Sequence, residues 1–338
     1  MSKKTVIATN LFFLLGILIL GWMVYRLGLQ TILANIAQTG WWFAGIIGIW
    51  AVVYAINAVS FHIIIRDGSP ETCKISFLKT YKLIISGFAV NYVTPLGLLG
   101  GVPYKILQLE PDLKIQKATS SVLLHTLMQF VSHFIFWMIS IPLLVLIVPV
   151  LTLPVKILLW IAAIASLSLL YWSFTVYTRG LVSRALSLGL KIPFVGKKVR
   201  AYKAANKEKI EQMDFLIADL YKNRKKDFIA SLSLELLSRF VLCIEVVLMM
   251  HPIGYPITFS QSVLTESVSS MIANLFFFMP LQLGAREGGF ALAFGILSIP
   301  VAYGVYVSIC MRIREFFWTI VGLGLIKVKL PGKKTRSD

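Results

Sequence analysis

An all-α polytopic membrane protein with about six full spans and two opposed, broken hairpins is the fold this sequence predicts. Three observations predict it. Of 338 residues, 57% are hydrophobic and only 14% charged, a composition that a water-soluble domain does not reach. The formal charge of +18 comes from Lys and Arg placed between apolar runs, where they set the orientation of a membrane protein rather than mark a nucleic-acid surface. Finally, two stretches, Asn91 to Lys105 and Phe278 to Phe290, contain Pro and Gly that no uninterrupted lipid-facing helix carries comfortably.

The elements follow in order. Lys3 and Lys4 precede an apolar run from about Thr5 to Tyr25, which is long enough to span and is read as a retained first helix with a cytoplasmic N-terminus. A weakly charged loop from about Arg26 to Gly40 ends in the interfacial pair Trp41 and Trp42, and a second helix returns inward to about Ile65. Arg66, Lys74, Lys79 and Lys82 lie before the first broken stretch, and Lys105, Lys114 and Lys117 lie at its end and beyond. Basic residues on both flanks and Pro95, Gly97, Gly100 and Gly101 between them favour a re-entrant hairpin over about 78–105, entering and leaving by the cytoplasmic face. The other reading is a single span with Lys105 outside.

Two long apolar runs, about Ala118 to Leu153 and Val155 to Tyr177, cross out and back. Residues 179–228 form a basic insert, hence cytoplasmic, in which 200–222 has a largely one-sided apolar pattern. That segment fits an amphipathic helix lying on the inner leaflet or on the protein's own base, and it fits a solvated connector as well. A helix from about Ile229 to Met250 then crosses outward to a loop without Lys or Arg. The last run, about Val301 to Ile326, must end at the basic tail of Lys327, Lys329, Lys333, Lys334 and Arg336, so the segment between, about 259–300, starts and finishes outside. It is a second hairpin from the opposite face, and the pair suggests an inverted repeat within one transmembrane domain, 1–338.

Charges at membrane depth are the candidate chemistry, since each costs about 2.5–3.5 kcal/mol near a helix centre. Arg312, Arg314 and Glu315 fall in the middle of the last run, and Arg286 and Glu287 in the second break. For Arg286, Glu287 and Arg312 a functional role is expected, with Arg286 paired to Glu287, to a headgroup, or to both in turn. Glu235 and Arg239, four apart, are expected to form an internal ion pair. His125 and His133 lack a carboxylate or Cys companion nearby in sequence, which argues against a metal site and for packed helix-interface histidines first and neutral imidazoles lining a cavity second. The three cysteines, Cys73, Cys243 and Cys310, have no ligand spacing and are expected to be free thiols. No phosphate loop, zinc-protease or nucleophile-elbow motif occurs, so neither an enzyme nor a cofactor is expected.

Thr94-Pro95 followed by Gly100-Gly101-Val102-Pro103-Tyr104-Lys105, and later Pro280 with Gly284-Ala285-Arg286-Glu287-Gly288, resemble the two signatures of the lysylphosphatidylglycerol synthase transmembrane region, or flippase-like domain, family. Arg312 matches an arginine often seen in that family's last helix, while Val102 stands where the family usually has Glu. The resemblance runs along essentially the whole chain and implies a lipid-handling membrane module of the kind found in multiple peptide resistance factors, here without room for the synthase domain. It implies a flippase-like function, translocating a phospholipid or lipid-linked headgroup between leaflets of the bacterial inner membrane. The alternative is a non-transporting lipid-binding partner of an envelope or lipid-synthesis enzyme. Asn91, Thr94, Pro95, Gly100, Gly101, Lys105, Pro280, Arg286, Glu287, Arg312 and Arg314 are the expected substrate-binding residues. The expected partners are membrane lipids, anionic or aminoacylated, with a homo-oligomer or an envelope-synthesis enzyme as further associations and no nucleic acid.

Overall fold

The computed structural model describes residues 25, 29–94, 100–148, 151–190, 196–276 and 284–328. Among these the chain is helical and contains no strand. The expected first helix, apart from Tyr25, and the basic tail from Lys329 onward lie outside the described residues, as do Pro95 and Pro280. The helices, in chain order, are α1 (Leu29–Thr39), α2 (Trp42–Ile65), α3 (Pro70–Cys73), α4 (Phe77–Val93), α5 (Gly101–Leu109), α6 (Ile115–Ile147) and α7 (Leu153–Arg179). They continue as α8 (Leu181–Gly189), α9 (Gly196–Ala205), α10 (Lys207–Lys222), α11 (Lys225–Met250), α12 (Phe259–Leu275), α13 (Ala285–Ile296) and α14 (Ala302–Lys327).

Helices α2 and α6, and α7 over its Leu153–Thr175 portion, are long and apolar enough to cross a bilayer on their own. On α7 the side chains of Trp160, Ile164 and Tyr171 point outward with nothing over them, an arrangement stable in hydrocarbon and costly in water. Helices α11 and α14 have 26 residues each, the same spanning length, but carry acids and arginines that they turn inward. The chain is thus an all-α polytopic membrane protein.

Each broken segment folds as a pair of helices that returns on itself. Ser76 caps α4 by accepting from the Lys79 amide at 3.3 Å, and α5 comes back so closely that a Cβ on Gly101 would sit 2.6 Å from the Gly87 carbonyl oxygen. Lys79 on the first turn of α4 forms an ion pair with Asp112, just past α5, which brings the two mouths of the hairpin together. Helix α12 begins with a capping box between Thr258 and Gln261, whose amide reaches the Thr258 hydroxyl at 3.2 Å. Its partner α13 returns against it with Gly289 against Ser269, where a Cβ would meet the Ser269 Cα at 2.8 Å. Ile257 and Ile299, at the two ends of this second hairpin, are buried in one cluster with Phe294.

Helix α14 joins both hairpins. Near its N-terminus Gly304 lies against the backbone of Phe290 and Ala291 on α13, and near its C-terminus Gly322 lies against Ala89 and Ile85 on α4. The two glycines are about 27 Å apart at 1.5 Å per residue, so the hairpins grip opposite ends of one helix. The antiparallel α2 and α11 form the wall beside them, tied where Ser60 and Ser231 exchange a 2.8 Å hydrogen bond between hydroxyls.

One expectation changes here, and one left open is decided. The segment expected as a loop from Arg26 to Gly40 is, over Leu29–Thr39, a helix whose Thr39 hydroxyl meets the Tyr306 hydroxyl of α14 at 2.8 Å. Leu29, Ile32, Leu33 and Ile36 carry a helical period that its low charge masked. The amphipathic segment, for its part, rests on the protein itself. Ile217 and Leu220 of α10 are buried with Leu124, Leu127, Met128 and Val131 of α6, while Phe215 stays exposed.

Candidate functional site

The middle of α14 carries Arg312, Arg314 and Glu315, all buried. Arg312 and Glu315, three apart, share a face, and both meet the start of α13. Arg286 forms an ion pair with Glu315, and Arg312 reaches Glu287 Oε1 through Nε at 2.9 Å and Nη2 at 2.5 Å. Glu287 also accepts the Gly284 amide at 2.9 Å through its other oxygen, where Gly284 has φ +82, a conformation open to glycine. The expected pairing of Arg286 with Glu287 is therefore replaced by two crossed pairs between helices. Adjacent residues on a helix diverge by about 100°, so each takes a different partner on α14.

Arg314 turns the other way. It binds Glu245 of α11 through two contacts, Nε to Oε1 at 2.8 Å and Nη2 to Oε2 at 3.2 Å. The indole N–H of Trp50 donates to the same carboxylate at 2.8 Å, and the guanidinium carbon stands 3.9 Å from the Trp50 ring centroid. Arg314 and Glu245 have exposures of 2% and 0%, so their charges are compensated by this pair and not by water. The Tyr92 hydroxyl, from the last turn of α4, is buried among the charges of Glu315, Arg312 and Arg286. The ends of both breaks thus converge on one buried ionic layer.

Beside this layer is a cavity of about 270 Å³ between α2, α4, α5, α6, α11 and α12. Asn91, Gly101 and Lys105 line it, together with Gln129, His133 and Arg239. Lys105 is 9% exposed, its stem crosses Gly87, and its ammonium stands 5.9 Å from the Phe61 ring centroid. Among the described residues no carboxylate forms an ion pair with it, and none lines the cavity. Arg239 contributes a second cation, held by a 3.4 Å contact from Nε to the Ser132 hydroxyl.

The expected Glu235–Arg239 pair does not form. Glu235 instead meets His125 Nε2 at 2.9 Å, and both side chains are fully buried. His125 thus gains the carboxylate companion that its sequence neighbourhood lacked, because α11 packs parallel to α6, as the pairs His125–Glu235, Ser132–Arg239 and Phe136–Phe240 show, and supplies it from 110 residues away.

Of the residues singled out in the sequence, Asn91, Gly101 and Lys105 gather at the cavity, and Arg286, Glu287, Arg312 and Arg314 form or adjoin the ionic layer. Thr94 and Gly100 belong to neither group. They mark the closest approach of α4 and α5, where a Cβ on Gly100 would stand 2.0 Å from the Thr94 hydroxyl oxygen. Pro95 and Pro280 lie outside the described residues. Sequence reasoning missed Glu245, Trp50 and a lining role for Arg239. For Glu245 a signal existed, a single acid within Val241-Leu-Cys-Ile-Glu-Val-Val-Leu248.

A helical membrane protein with paired broken helices around a charged interior is the class that this fold and site define. The sequence model of the lysylphosphatidylglycerol synthase TM region matches residues 7–324, and the chain belongs to that family. No curated protein and no solved structure matches it.

Proposed function

We propose that this protein is not an enzyme but a translocase, which carries a phospholipid or lipid-linked headgroup between the leaflets of a bacterial inner membrane. One observation carries the reading: two helix hairpins hold opposite ends of α14, and their broken ends converge on the ion pairs at its middle. If the hairpins are re-entrant from opposite faces, each covers one route to the cavity, and the ionic layer is what divides the routes. The headgroup sets the barrier to crossing, because a charged group in hydrocarbon costs several kcal/mol or more whereas the tails never leave the bilayer. A polar cavity at that depth lowers the barrier. Lys105 holds the phosphate, and exchange among Arg286, Glu315, Arg312 and Glu287 opens one side as the other closes.

The test is reconstitution into liposomes carrying a fluorescent phospholipid that a membrane-impermeant reductant bleaches in the outer leaflet. Protein-containing vesicles are expected to lose fluorescence beyond the outer-leaflet share, and vesicles with Lys105→Gln to lose much less of it. No excess loss under any proton or sodium gradient sinks the proposal. Should an envelope-synthesis enzyme that copurifies with the protein then fail without it, the protein is that enzyme's lipid-binding partner.

A further inference from the structure

The polar cavity does not end at α6. Phe130, His133 and Asn274 line it and also line a second space of about 420 Å³ between α6, α7 and α12. That second space is walled by apolar side chains, among them Trp137, Ala162, Leu169 and Met271. Its outer rim is open, with Ile161 of α7 59% and Leu275 of α12 66% exposed. A polar chamber and an apolar groove that opens sideways thus adjoin, with Phe130, His133 and Asn274 lining both. The two together have the polarity of one lipid molecule, and each is within the size range of ordinary ligand sites or close to it.

The charge of the chamber narrows the class further. Its ionisable lining is Lys105, Arg239 and His133, and Val102, which also faces it, brings no charge. Of the nearby carboxylates, Glu235 is bonded to His125 and Glu245 to Arg314 and Trp50; Glu235 and the buried Glu266 act on Arg239 through space, and Glu235 on Lys105, but neither acid lines the chamber or forms an ion pair with these cations. The buried Lys105 and the half-buried Arg239, both lining the chamber with no acid in ion-pair contact, favour an anion there, and a further cation brought in is repelled.

We infer that chamber and groove seat one anionic phospholipid, its phosphate on Lys105 and Arg239 and one acyl chain in the groove between α6, α7 and α12. A cationic aminoacylated headgroup is discriminated against. This rests on the translocation reading only in taking the chamber as the substrate's seat.

Equilibrium binding to the full chain in detergent tests it. The probes are dioctanoyl phosphatidylglycerol, its lysyl ester, dioctanoyl phosphatidylcholine and sn-glycerol 3-phosphate, which share the phosphate but differ in net charge or chains. Phosphatidylglycerol is expected to bind about tenfold or more tighter than the other three, a difference of about 1.4 kcal/mol. Lys105→Gln and Arg239→Gln should each remove that preference while Lys105→Arg keeps it, and melting temperature reports whether each variant is folded. Ala165→Trp, at an exposed groove position, should weaken all three acylated lipids and leave glycerol phosphate unchanged. Equal or tighter binding of the lysyl ester overturns the charge argument. Glycerol phosphate binding as tightly as the lipid overturns the groove, as does an Ala165→Trp variant with wild-type lipid affinity. Because binding is read at equilibrium, selective binding without transport removes only the translocase, and transport without headgroup preference removes only this seat.

Discussion

Arg314 and Glu245 show what a buried charge demands of its neighbours. Neither has water, so the bidentate contact and the Trp50 N–H supply what solvent would have given. Removing Glu245 leaves Arg314 with only its longer contact to Glu315, Nη1 to Oε1 at 3.8 Å, and removing Arg314 strands the Glu245 charge. Glu245→Gln is therefore expected to cost about 3–5 kcal/mol, read as a lower melting temperature in detergent, and a second change, Arg314→Met, to recover most of it. If the single variant melts like the wild type, the pair contributes nothing. The same cycle at Arg286 must use Glu315 and not Glu287, since that is where its charge is met. The sequence made the presence of these charges legible but not their partners. Arg286 and Glu287 are neighbours along the chain, yet each bonds a residue more than twenty positions away. The Glu235–Arg239 spacing was sound for an isolated helix, and the His125 ring on α6 offered Glu235 a closer contact.

Among elements, glycine decides how near two helices lie. On α14 the glycines at 322 and 324 are two residues apart and have opposite surroundings. A Cβ on Gly322 would sit 2.5 Å from the Ala89 Cβ and 2.7 Å from the Ile85 carbonyl oxygen, whereas Gly324 has nothing within 4 Å. Gly322→Ala is expected to destabilise by about 1–3 kcal/mol through overpacking, enough to move α4 and the hairpin it leads. Gly324→Ala should be neutral or stabilising by up to about 1 kcal/mol, as alanine is the better helix former. Thermal unfolding of the two variants compares the same substitution on the same helix. Equal shifts would mean that the contact with α4 is loose. The long helices were legible from apolar length, and the two interruptions from Pro and Gly. Helix α1 was not, because eleven residues are short for an isolated helix and its stability comes from α14. The direction of the buried face of α10 was open for a similar reason. A one-sided apolar pattern fits a membrane surface and a protein base equally, and only the packing on α6 decides between them.

At the scale of the whole molecule the arrangement makes a prediction about sidedness. Helix α14 has 26 residues and is about 39 Å long, so its two ends belong to opposite faces of a bilayer whose hydrocarbon is about 30 Å thick. The first hairpin sits at its C-terminal end, where Lys82 donates to the Val328 carbonyl, and the second at its N-terminal end, against Gly304. The mouths of the first hairpin are held together by Lys79 and Asp112, so the chain enters and leaves it on one side. Lysines 74, 79, 82, 114 and 117 make that side the basic one, and the distribution of Lys and Arg predicts that it faces the cytoplasm. Single cysteines at Lys74 and Lys114 should therefore both react with a membrane-impermeant thiol reagent only after the inner face is exposed. Cysteines at Tyr255 and Ala302, beside the mouths of the second hairpin, should react in intact cells. Cys73, which is exposed, and the buried Cys243 and Cys310 must first be replaced. Opposite labelling of Lys74 and Lys114 would make the first broken segment a full span. The hairpins would then no longer oppose one another, and the two-sided access on which translocation depends would lose its structural basis.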